Sequence, residues 1–340
     1  MNPLINFAYN LCAIPSISGH EKDCLIYMCR ELTKRGFFVE QIPVAADRFN
    51  ILASFDKRPK YSALFCTHLD TVAPHVEPHI DTTKEVLEGR GSCDAKGIAA
   101  CMIEAICAQR EQGFHDLALL LTVGEEEASD GAKACQPLLL NRADYVVVGE
   151  PTELKAASAQ KGSLVFDLEA CGKEAHSSMP HMGISAIHLL LDGLKKLLDY
   201  PWPSHPVFED TFLNVGVIEG GSRRNVLAKN AQAHCIMRTS HKADEMIAII
   251  KKLKGNHVNL HVHSASDPFQ YYTPPGFATF IAGFGSDAPY LAGVGKPILL
   301  GPGSLSVAHT PHEYISFQDL MDGVSAYQAI ASHVRGGFYA

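Results

Sequence analysis

The fold is decided by the stretch Ala63-Leu64-Phe65-Cys66-Thr67-His68-Leu69-Asp70-Thr71-Val72. It begins as an apolar run of strand length and ends in a histidine that is followed, two residues later, by an aspartate. Side chains at positions i and i+2 of an extended chain point to the same side, so His68 and Asp70 can face one site. Metal-bound histidines usually donate their second ring N–H to a carboxylate, and this pair suits that arrangement. A single His-x-Asp pattern is common by chance, so its meaning depends on the ends of the other strands.

Length and charge limit the classes of protein to which this chain can belong. Its 340 residues allow two domains, and its 46% of hydrophobic residues are enough for a sizeable core. The net charge of −8, without a basic stripe, argues against a nucleic-acid-binding protein. Charged residues interrupt every apolar segment within about a dozen residues, so no membrane-spanning segment is expected.

The ten cysteines indicate a reducing environment. They include no Cys-x-x-Cys pair, and several lie inside apolar runs, where reduced thiols pack as small apolar side chains. The N-terminal Met1-Asn2-Pro3-Leu4 lacks the basic start and the apolar core of a secretory signal. We therefore expect a cytoplasmic protein.

Apolar strands alternate with helical segments over the first part of the chain. The predicted elements are strands at 61–67, 117–123 and 145–148 and helices at 3–13, 20–36 and 98–112. Ser18, in the breaker cluster between the first two helices, is a candidate N-cap for the second helix. Fully apolar strands between helices indicate an α/β protein with a largely parallel sheet that is covered on both faces.

The middle of the chain follows a different pattern. The predicted order is a strand at 162–171, a helix at 183–199, strands at 211–218 and 229–239, a helix at 243–253 and a strand at 257–263. This β-α-β-β-α-β order is the split βαβ arrangement of ferredoxin-like domains. We place this domain at 157–266, inserted into a first domain formed by 1–156 and 267–340. The returning chain is predicted to form a helix near 276–283, a strand at 297–300 and a final helix at 317–335.

Histidine and acidic residues lie where the predicted strands of the first domain end. They are His68 and Asp70, Glu125 and Glu126, and Glu150, with Asp94 in the turn before a helix and His309 after the last strand. Open α/β sheets bind ligands at that edge. Histidine and carboxylate ligands without cysteine fit divalent ions such as zinc, cobalt or manganese. Each residue alone is more often a solvated charge or a helix cap, but three strands that run into acidic residues at one edge indicate a site.

Several segments, in this order, give a sequence that resembles the M20 metallopeptidase/deacylase family. They are PSISG at 15–19, HLD at 68–70, GSCDAKG at 91–97, GEE at 124–126, GEPT at 149–152, AHSS at 175–178, and GPG at 301–303 followed by AH at 308–309. The family includes acetylornithine deacetylase, succinyl-diaminopimelate desuccinylase, aminoacylases and some peptidases. The resemblance implies a zinc-exopeptidase-like mixed sheet with helices on both faces, plus an inserted ferredoxin-like α+β lid and dimerisation domain.

The resemblance also implies a site for two divalent ions, which in such sites lie about 3.5–4 Å apart. The implied ligands are His68 and Glu150 on one ion, Glu126 and His309 on the other, and Asp94 as the bridge. Zinc is the expected metal, with cobalt or manganese as alternatives. Asp70 is implied as the residue that orients His68 and is not itself a ligand.

Among the three consecutive glutamates, the family pattern selects the catalytic base. In the family the base directly precedes a ligand, and a glycine follows that ligand by five residues. Gly131 fits this offset from Glu126, so Glu125 is the implied base and Glu127 is a solvated neighbour. Glu125 would take a proton from a water whose pKa the ions lower, and would then pass it to the leaving nitrogen of an amide.

The resemblance also implies the roles of two further histidines. The pattern Ala-His-x-x-x-Glu selects His309, with Glu313, and leaves His312 as a surface residue. His176 occupies the position of a lid histidine that donates to the tetrahedral oxyanion, in the family often from the partner subunit. We therefore expect a homodimer that forms through the lid domain.

Substrate contacts are expected from the lid and from the loop after the last strand. Arg238 and Asn225 lie in lid segments that resemble family segments holding a substrate carboxylate, to which a guanidinium fork can donate two parallel hydrogen bonds. Gly303 and Ser304 complete the candidate set. Three further lid histidines share one strand face, where no carboxylate keeps the same spacing, and we interpret them as surface residues: His257, His261 and His263.

The sequence predicts a metal-dependent amidohydrolase that removes an acyl group from an amino-acid nitrogen. N-acetylornithine deacetylation, a step of arginine biosynthesis, is the first choice, because the chain has the compact length of the amino-acid deacylases. Succinyl-diaminopimelate desuccinylase, another N-acyl-amino-acid deacylase and a dipeptidase are alternatives, since the lid contacts that separate them cannot be derived from sequence. A non-catalytic relative that binds a metal or acts as an assembly subunit is a further alternative, which would have no need of Glu125.

Overall fold

The structure is a computed structural model, and it describes residues 2–336. The described chain divides into two units. Unit 1 contains the residues up to Ser158, Tyr271–Phe280 and the residues from Ser286 onward, and unit 2 contains Ala159–Gln270 and Ile281–Gly285. Unit 2 is thus an insertion into the chain of unit 1.

The secondary-structure elements have the following bounds. The strands are β1 (Phe38–Ala45), β2 (Arg48–Ser54), β3 (Tyr61–His68), β4 (His79–Asp81), β5 (Val86–Glu88), β6 (Leu117–Thr122), β7 (Ala143–Val148), β8 (Ala156–Gln160), β9 (Gly162–Cys171), β10 (Ser204–His205), β11 (Glu209–Asp210), β12 (Phe212–Gly220), β13 (Asn230–Thr239), β14 (Val258–Ser266), β15 (Phe269–Gln270), β16 (Thr279–Ala282), β17 (Lys296–Leu299) and β18 (Tyr314–Ser316). The α-helices are α1 (Pro3–Cys12), α2 (Lys22–Lys34), α3 (Lys96–Glu111), α4 (Asp130–Cys135), α5 (Ala186–Leu198), α6 (Ala243–Leu253) and α7 (Phe317–Arg335).

The main sheet of unit 1 has the strand order β1-β2-β6-β3-β7-β17. The strands β6, β3, β7 and β17 are parallel to one another, and β2 is antiparallel to β6. In the register of the two central strands, His68 lies opposite Thr122. Parallel strands in this register end together, so the residues that follow β3 and β6 meet at one edge of the sheet.

The core of unit 1 lies between this sheet and its helices. Every residue of β6 is buried, and α3 buries eleven of its sixteen residues, which explains the continuous apolar runs of the sequence. Phe65 of β3 packs edge-on against Tyr327 of α7 with ring centroids 5.7 Å apart. The Tyr327 hydroxyl donates to the carbonyl of Leu300, which follows β17, at 3.1 Å. The predicted α/β architecture with helices packed on a largely parallel sheet is confirmed.

Unit 2 contains a four-stranded antiparallel sheet in the order β12-β13-β9-β14. Along β9 the residues Leu164, Phe166 and Leu168 are fully buried, while the residues between them point to the other face. The buried side of the sheet shares one apolar cluster with α5 and α6. The order of β9, α5, β12, β13, α6 and β14 is the predicted β-α-β-β-α-β arrangement.

Two local predictions are wrong. The helix expected near 276–283 is a turn followed by β16, because the left-handed backbone of Gly276 (φ +87°) is incompatible with a right-handed helix at its predicted first residue. Ser18 does not cap α2, whose N-cap position is Glu21; the Ser18 hydroxyl instead donates to Oδ2 of Asp70 at 2.8 Å.

Within residues 2–336, no helix combines the length and the apolarity that crossing a membrane requires.

Candidate metal centre

His68 ends β3 with a buried imidazole whose two nitrogens have different partners. Its Nδ1 lies 2.9 Å from the backbone carbonyl oxygen of Asp70, and its Nε2 lies 3.0 Å from Oδ1 of Asp94. Because a carbonyl only accepts, Nδ1 carries a proton. Nε2 donates to Asp94 in the metal-free protein, and once it loses that proton it is the ring atom that can bind a cation in company with Asp94.

The Asp70 carboxylate connects three segments of the chain. Its Oδ1 accepts the backbone N–H of Glu125 at 3.1 Å, and its Oδ2 accepts the backbone N–H of Glu126 at 3.2 Å and the hydroxyl of Ser18. The distance from Oδ1 to Nδ1 of His68 is 3.6 Å. In this structure the Asp70 side chain holds the turn after β6, and its backbone carbonyl holds the His68 ring.

Two overlapping groups of potential ligand atoms lie in this region. One is formed by His68, Glu125 and Glu150 and the other by His68, Asp94 and Glu126, with the ligand atoms of each group within 4.8 Å of one another. His309 completes the second group, since its Nε2 lies 2.9 Å from Oε2 of Glu126 and 3.2 Å from Oδ2 of Asp94. The structure thus brings together the five residues expected as ligands and the one expected as base.

The buried carboxylates of this cluster outnumber its imidazoles. Burial raises the pKa of both Glu125 and Glu150 well above the usual value for a glutamate. Hydrogen bonds to the carboxylates of Asp94 and Glu126 raise the pKa of His309 to about 10. Burial alone would raise the pKa of Asp94, but hydrogen bonds from His309 and His68 hold it below the usual value. Buried carboxylates that outnumber their imidazole partners, with no cysteine among them, fit a site for divalent cations.

The loop that carries Gly303 and Ser304 packs against the Asp94 segment. Gly303 has a left-handed backbone (φ +80°), and a Cβ at this position would lie 2.6 Å from Sγ of Cys93. The Ser304 hydroxyl donates to Oε1 of Glu153 at 2.9 Å. Only glycine therefore fits at 303, and the loop is fixed beside the centre in unit 1.

The remaining sequence candidates lie in unit 2. His176 is exposed, with Nδ1 2.7 Å from the hydroxyl of Ser178, and the next residue donates its N–H to the carbonyl of Asn225 at 2.9 Å. Arg238 lies on β13, where burial lowers the pKa of its guanidinium. Within the described chain, this guanidinium has no carboxylate within ion-pair distance. A partly buried cation without an internal partner is available for an anion.

The lid histidines have partners that the sequence pattern could not show. Nε2 of His263 lies 2.7 Å from Oδ2 of Asp167, and Nε2 of His261 lies 3.1 Å from Oε2 of Glu169. Both carboxylates belong to the neighbouring strand β9. Spacing along β14 alone gives no indication of them.

The sequence profile of peptidase family M20/M25/M40 matches residues 64–333. This chain belongs to that family. It is 34% identical to a peptidase M20 domain-containing protein of Schizosaccharomyces pombe, over 97% of this chain and 84% of that protein. It is 33% identical to a probable carboxypeptidase of Aspergillus clavatus, over 97% of this chain and 82% of that protein. The structure of aminopeptidase PepT from Bacillus cereus has the same fold, with a TM-score of 0.81, 22% identity and 98% of each chain covered.

The family resemblance and the fold class predicted from the sequence are therefore confirmed. This M20 protein also contains a buried carboxylate that the sequence did not single out. Oδ2 of Asp287 accepts the hydroxyl of Thr122, the last residue of β6, at 2.8 Å, and burial raises the pKa of Asp287 to about 6. Its Oδ1 is buried without a hydrogen-bond partner in the described chain. No sequence pattern links residues 287 and 122, so this contact could only be found in the folded chain.

Proposed function

We propose that this M20 protein is a metal-dependent hydrolase that cleaves an amide bond next to a free carboxylate. The observation that carries the proposal is the meeting of two groups of potential ligands at His68, one with Glu125 and Glu150 and the other with Asp94 and Glu126. A binding or assembly subunit would need the ligands but would have no use for an additional carboxylate poised at the centre. This geometry therefore favours an enzyme over a non-catalytic relative.

The proposed ligands are those that the structure brings together. His68 and Glu150 would hold one ion, Glu126 and His309 the other, and Asp94 both. When bound, two divalent ions polarise an amide carbonyl and lower the pKa of a water molecule. Zinc is the first choice and cobalt or manganese are alternatives, because imidazole and carboxylate ligands suit all three.

Glu125 is the proposed general base. Its backbone N–H is held by Asp70, which fixes the start of the side chain beside the ligand groups. The residue as a whole is partly exposed, while its carboxylate lies in the ligand group with His68 and Glu150. It would accept a proton at a carboxylate oxygen and donate the same proton to the leaving nitrogen. The imidazole of His176, exposed in unit 2, is the proposed donor to the oxyanion of the tetrahedral intermediate.

Arg238 and Asn225 are the proposed contacts for the substrate carboxylate, together with Gly303 and Ser304. The partly buried guanidinium of Arg238 without an acidic partner supports this role, because a carboxylate would satisfy its fork of donors. N-acetylornithine remains the first specific candidate for the substrate, because its deacetylation is the first choice in the sequence analysis. The name of the Aspergillus clavatus relative favours a second candidate, the C-terminal peptide bond of a short peptide. Both substrates have a free carboxylate beside the scissile amide.

A homodimer through unit 2, the proposed lid, is supported by its exposed apolar residues. β12 is an edge strand that exposes Phe212 and Ile218, and α5 exposes Leu191 and Leu198. A second copy could cover such residues and continue the sheet. If His176 acts in the partner's site, activity per chain should fall on dilution to the monomer. A monomer that is fully active at all dilutions would contradict this role.

A hydrolysis screen with added zinc, cobalt or manganese tests the proposed function. It should compare N-acetylornithine, N-acetylcitrulline, N-succinyl-diaminopimelate, N-acetylmethionine and several dipeptides, each beside its carboxamide. We expect metal-dependent release of a free amino acid, and loss of activity when the carboxylate is amidated. Equal hydrolysis of the amidated compounds would refute the carboxylate requirement. Tight metal binding without hydrolysis of any of the compounds would favour the non-catalytic alternative.

A further inference from the structure

Glu313 connects two loops of the candidate metal centre. Its Oε1 accepts the backbone N–H groups of Gly91 at 2.9 Å, Cys93 at 3.1 Å and Asp94 at 3.0 Å. Three donors on one carboxylate oxygen form a charge-assisted set that fixes the curvature of the backbone around it. The backbone from which the Asp94 side chain begins is therefore held by a residue 219 positions away.

Arg90 holds the other oxygen of the same carboxylate. Its Nη1 donates to Oε2 of Glu313 at 2.6 Å, and its Nε donates to the carbonyl of Pro74 at 3.2 Å. Arg90 is 2% and Glu313 1% exposed. A buried ion pair is stable only when its geometry is good and its remaining hydrogen-bonding groups have partners. These requirements restrict the position of the Glu313 carboxylate.

The loop that carries Glu313 also carries His309. Nε2 of His309 lies 3.2 Å from Oδ2 of Asp94, and the backbone carbonyl of Glu313 accepts the N–H of Gly89 at 2.9 Å. Glu313, at one end of this loop, thus binds the segment 89–94 through hydrogen bonds. His309, at the other end, places its imidazole beside the carboxylate of Asp94.

We propose that Glu313, locked by Arg90, is a positioning residue that sets the spacing of Asp94 and His309 and thereby the affinity for the cation between them. The proposal rests on the proposed metal centre. Groups that hold ligands in place typically change metal affinity by about 10–100-fold when they are removed. The other cation shares Asp94 but has His68 and Glu150 in place of His309, so its affinity should fall by a smaller factor.

Metal titration of the apoprotein with Co²⁺ tests this proposal without any turnover. Glu313→Gln keeps the size of the side chain but removes the charge that holds Arg90 and the three N–H groups. We expect one of two Co²⁺ affinities to fall by about 10–100-fold, the other to fall by a smaller factor, and the visible Co²⁺ absorption to change. Asp319→Asn is the control, because the Asp319 carboxylate accepts hydrogen bonds from Ser316 at the start of α7 and from no backbone N–H of residues 89–94. It should lower thermal stability but leave both affinities and the spectrum unchanged.

Arg90→Lys keeps the proposal testable if Glu313→Gln does not fold. The lysine retains a positive charge near Oε2 but loses the fork, so we expect the same affinity to fall by a smaller factor. Two wild-type affinities and an unchanged Co²⁺ spectrum in both variants would overturn the positioning role alone. A wild-type chain that binds no divalent ion would overturn this role together with the proposed metal centre.

Discussion

Oδ1 of Asp70 lies 3.1 Å from the backbone nitrogen of Glu125. This hydrogen bond joins the residues that follow two neighbouring parallel strands, β3 and β6. The backbone position of Glu125, the proposed base, thus depends on Asp70, which follows His68 after the end of β3. Ser18, from the loop before α2, donates to the other oxygen of the same carboxylate.

Asp70→Asn should lower kcat while the protein retains its metals. The amide can place only one oxygen acceptor against the two N–H groups that the carboxylate now binds, so the turn after β6 should lose its fixed position. We expect a loss of about 10–100-fold, the range seen when groups that orient a site are removed. Steady-state kinetics and metal analysis check this, with Ser18→Ala as a milder control that leaves both N–H contacts. An Asp70→Asn variant with wild-type kcat would contradict the role.

Asp94→Ala should strip or disorder both ions, because this carboxylate is the proposed bridge between them. His68 and His309 both contact it, so both histidines lose a neighbour in the variant. Metal content after dialysis against a weak chelator measures the effect. The control is Glu127→Ala, which removes a nearby exposed carboxylate. Two tightly bound ions in Asp94→Ala would refute the bridge.

Arg238→Ala should raise KM far more than it lowers kcat. A hydrogen-bonded charge pair contributes about 1.5–3 kcal/mol, which corresponds to about 10–100-fold in binding. The effect should disappear for a substrate whose carboxylate is amidated. Arg223→Ala, at an exposed lid position, is the matched control. Equal losses for the free and amidated substrates would show that Arg238 does not bind the carboxylate.

Asp287→Asn should stabilise the metal-free protein increasingly as pH rises. Burial raises the pKa of Asp287 from 3.8 to about 6, so the folded state holds this proton more tightly than the unfolded state. The wild type therefore has the full benefit of the protonated group below about pH 4 and loses it as pH rises through 6. The loss is about 3 kcal/mol at most, since one pKa unit is worth about 1.4 kcal/mol.

Urea unfolding between pH 4 and 8 in the presence of a chelator measures this difference. The unfolding free energy of Asp287→Asn minus that of the wild type should grow across this range. Asp144→Asn, which changes an exposed carboxylate paired with Lys60, should give no such trend. A difference that stays constant or shrinks with pH would contradict the buried charge at 287.

Local periodicity explains which parts of the fold could be predicted. The apolar run at 61–67 is β3 (Tyr61–His68), and the alternation at 162–171 is β9 (Gly162–Cys171), because burial on two faces or one leaves a direct trace in the sequence. The three-residue strands β4, β5 and β18 are too short to show a period. The spacing near 276–283 predicts a helix, and the left-handed backbone of Gly276 that prevents it is visible only in the structure.

The candidate site likewise contains residues that could be predicted from the sequence and contacts that could not. Residues such as His68 and Glu150 directly follow or end strands that are recognisable from their apolar runs, and the topology of a parallel sheet brings such residues to one edge. The contacts of Glu313 with Asp94 and of Asp287 with Thr122 join loops that are far apart in the chain. Nothing in the local sequence records these contacts, which depend on the packing of the completed sheet and its loops.

Glu125→Ala tests the central claim most directly. The variant should bind two divalent ions as tightly as the wild type and lose amide hydrolysis by about 100-fold or more, because it lacks only the group that transfers the proton. The matched Glu127→Ala variant should retain both properties. Hydrolysis at the wild-type rate by Glu125→Ala, with both ions bound, would contradict the account.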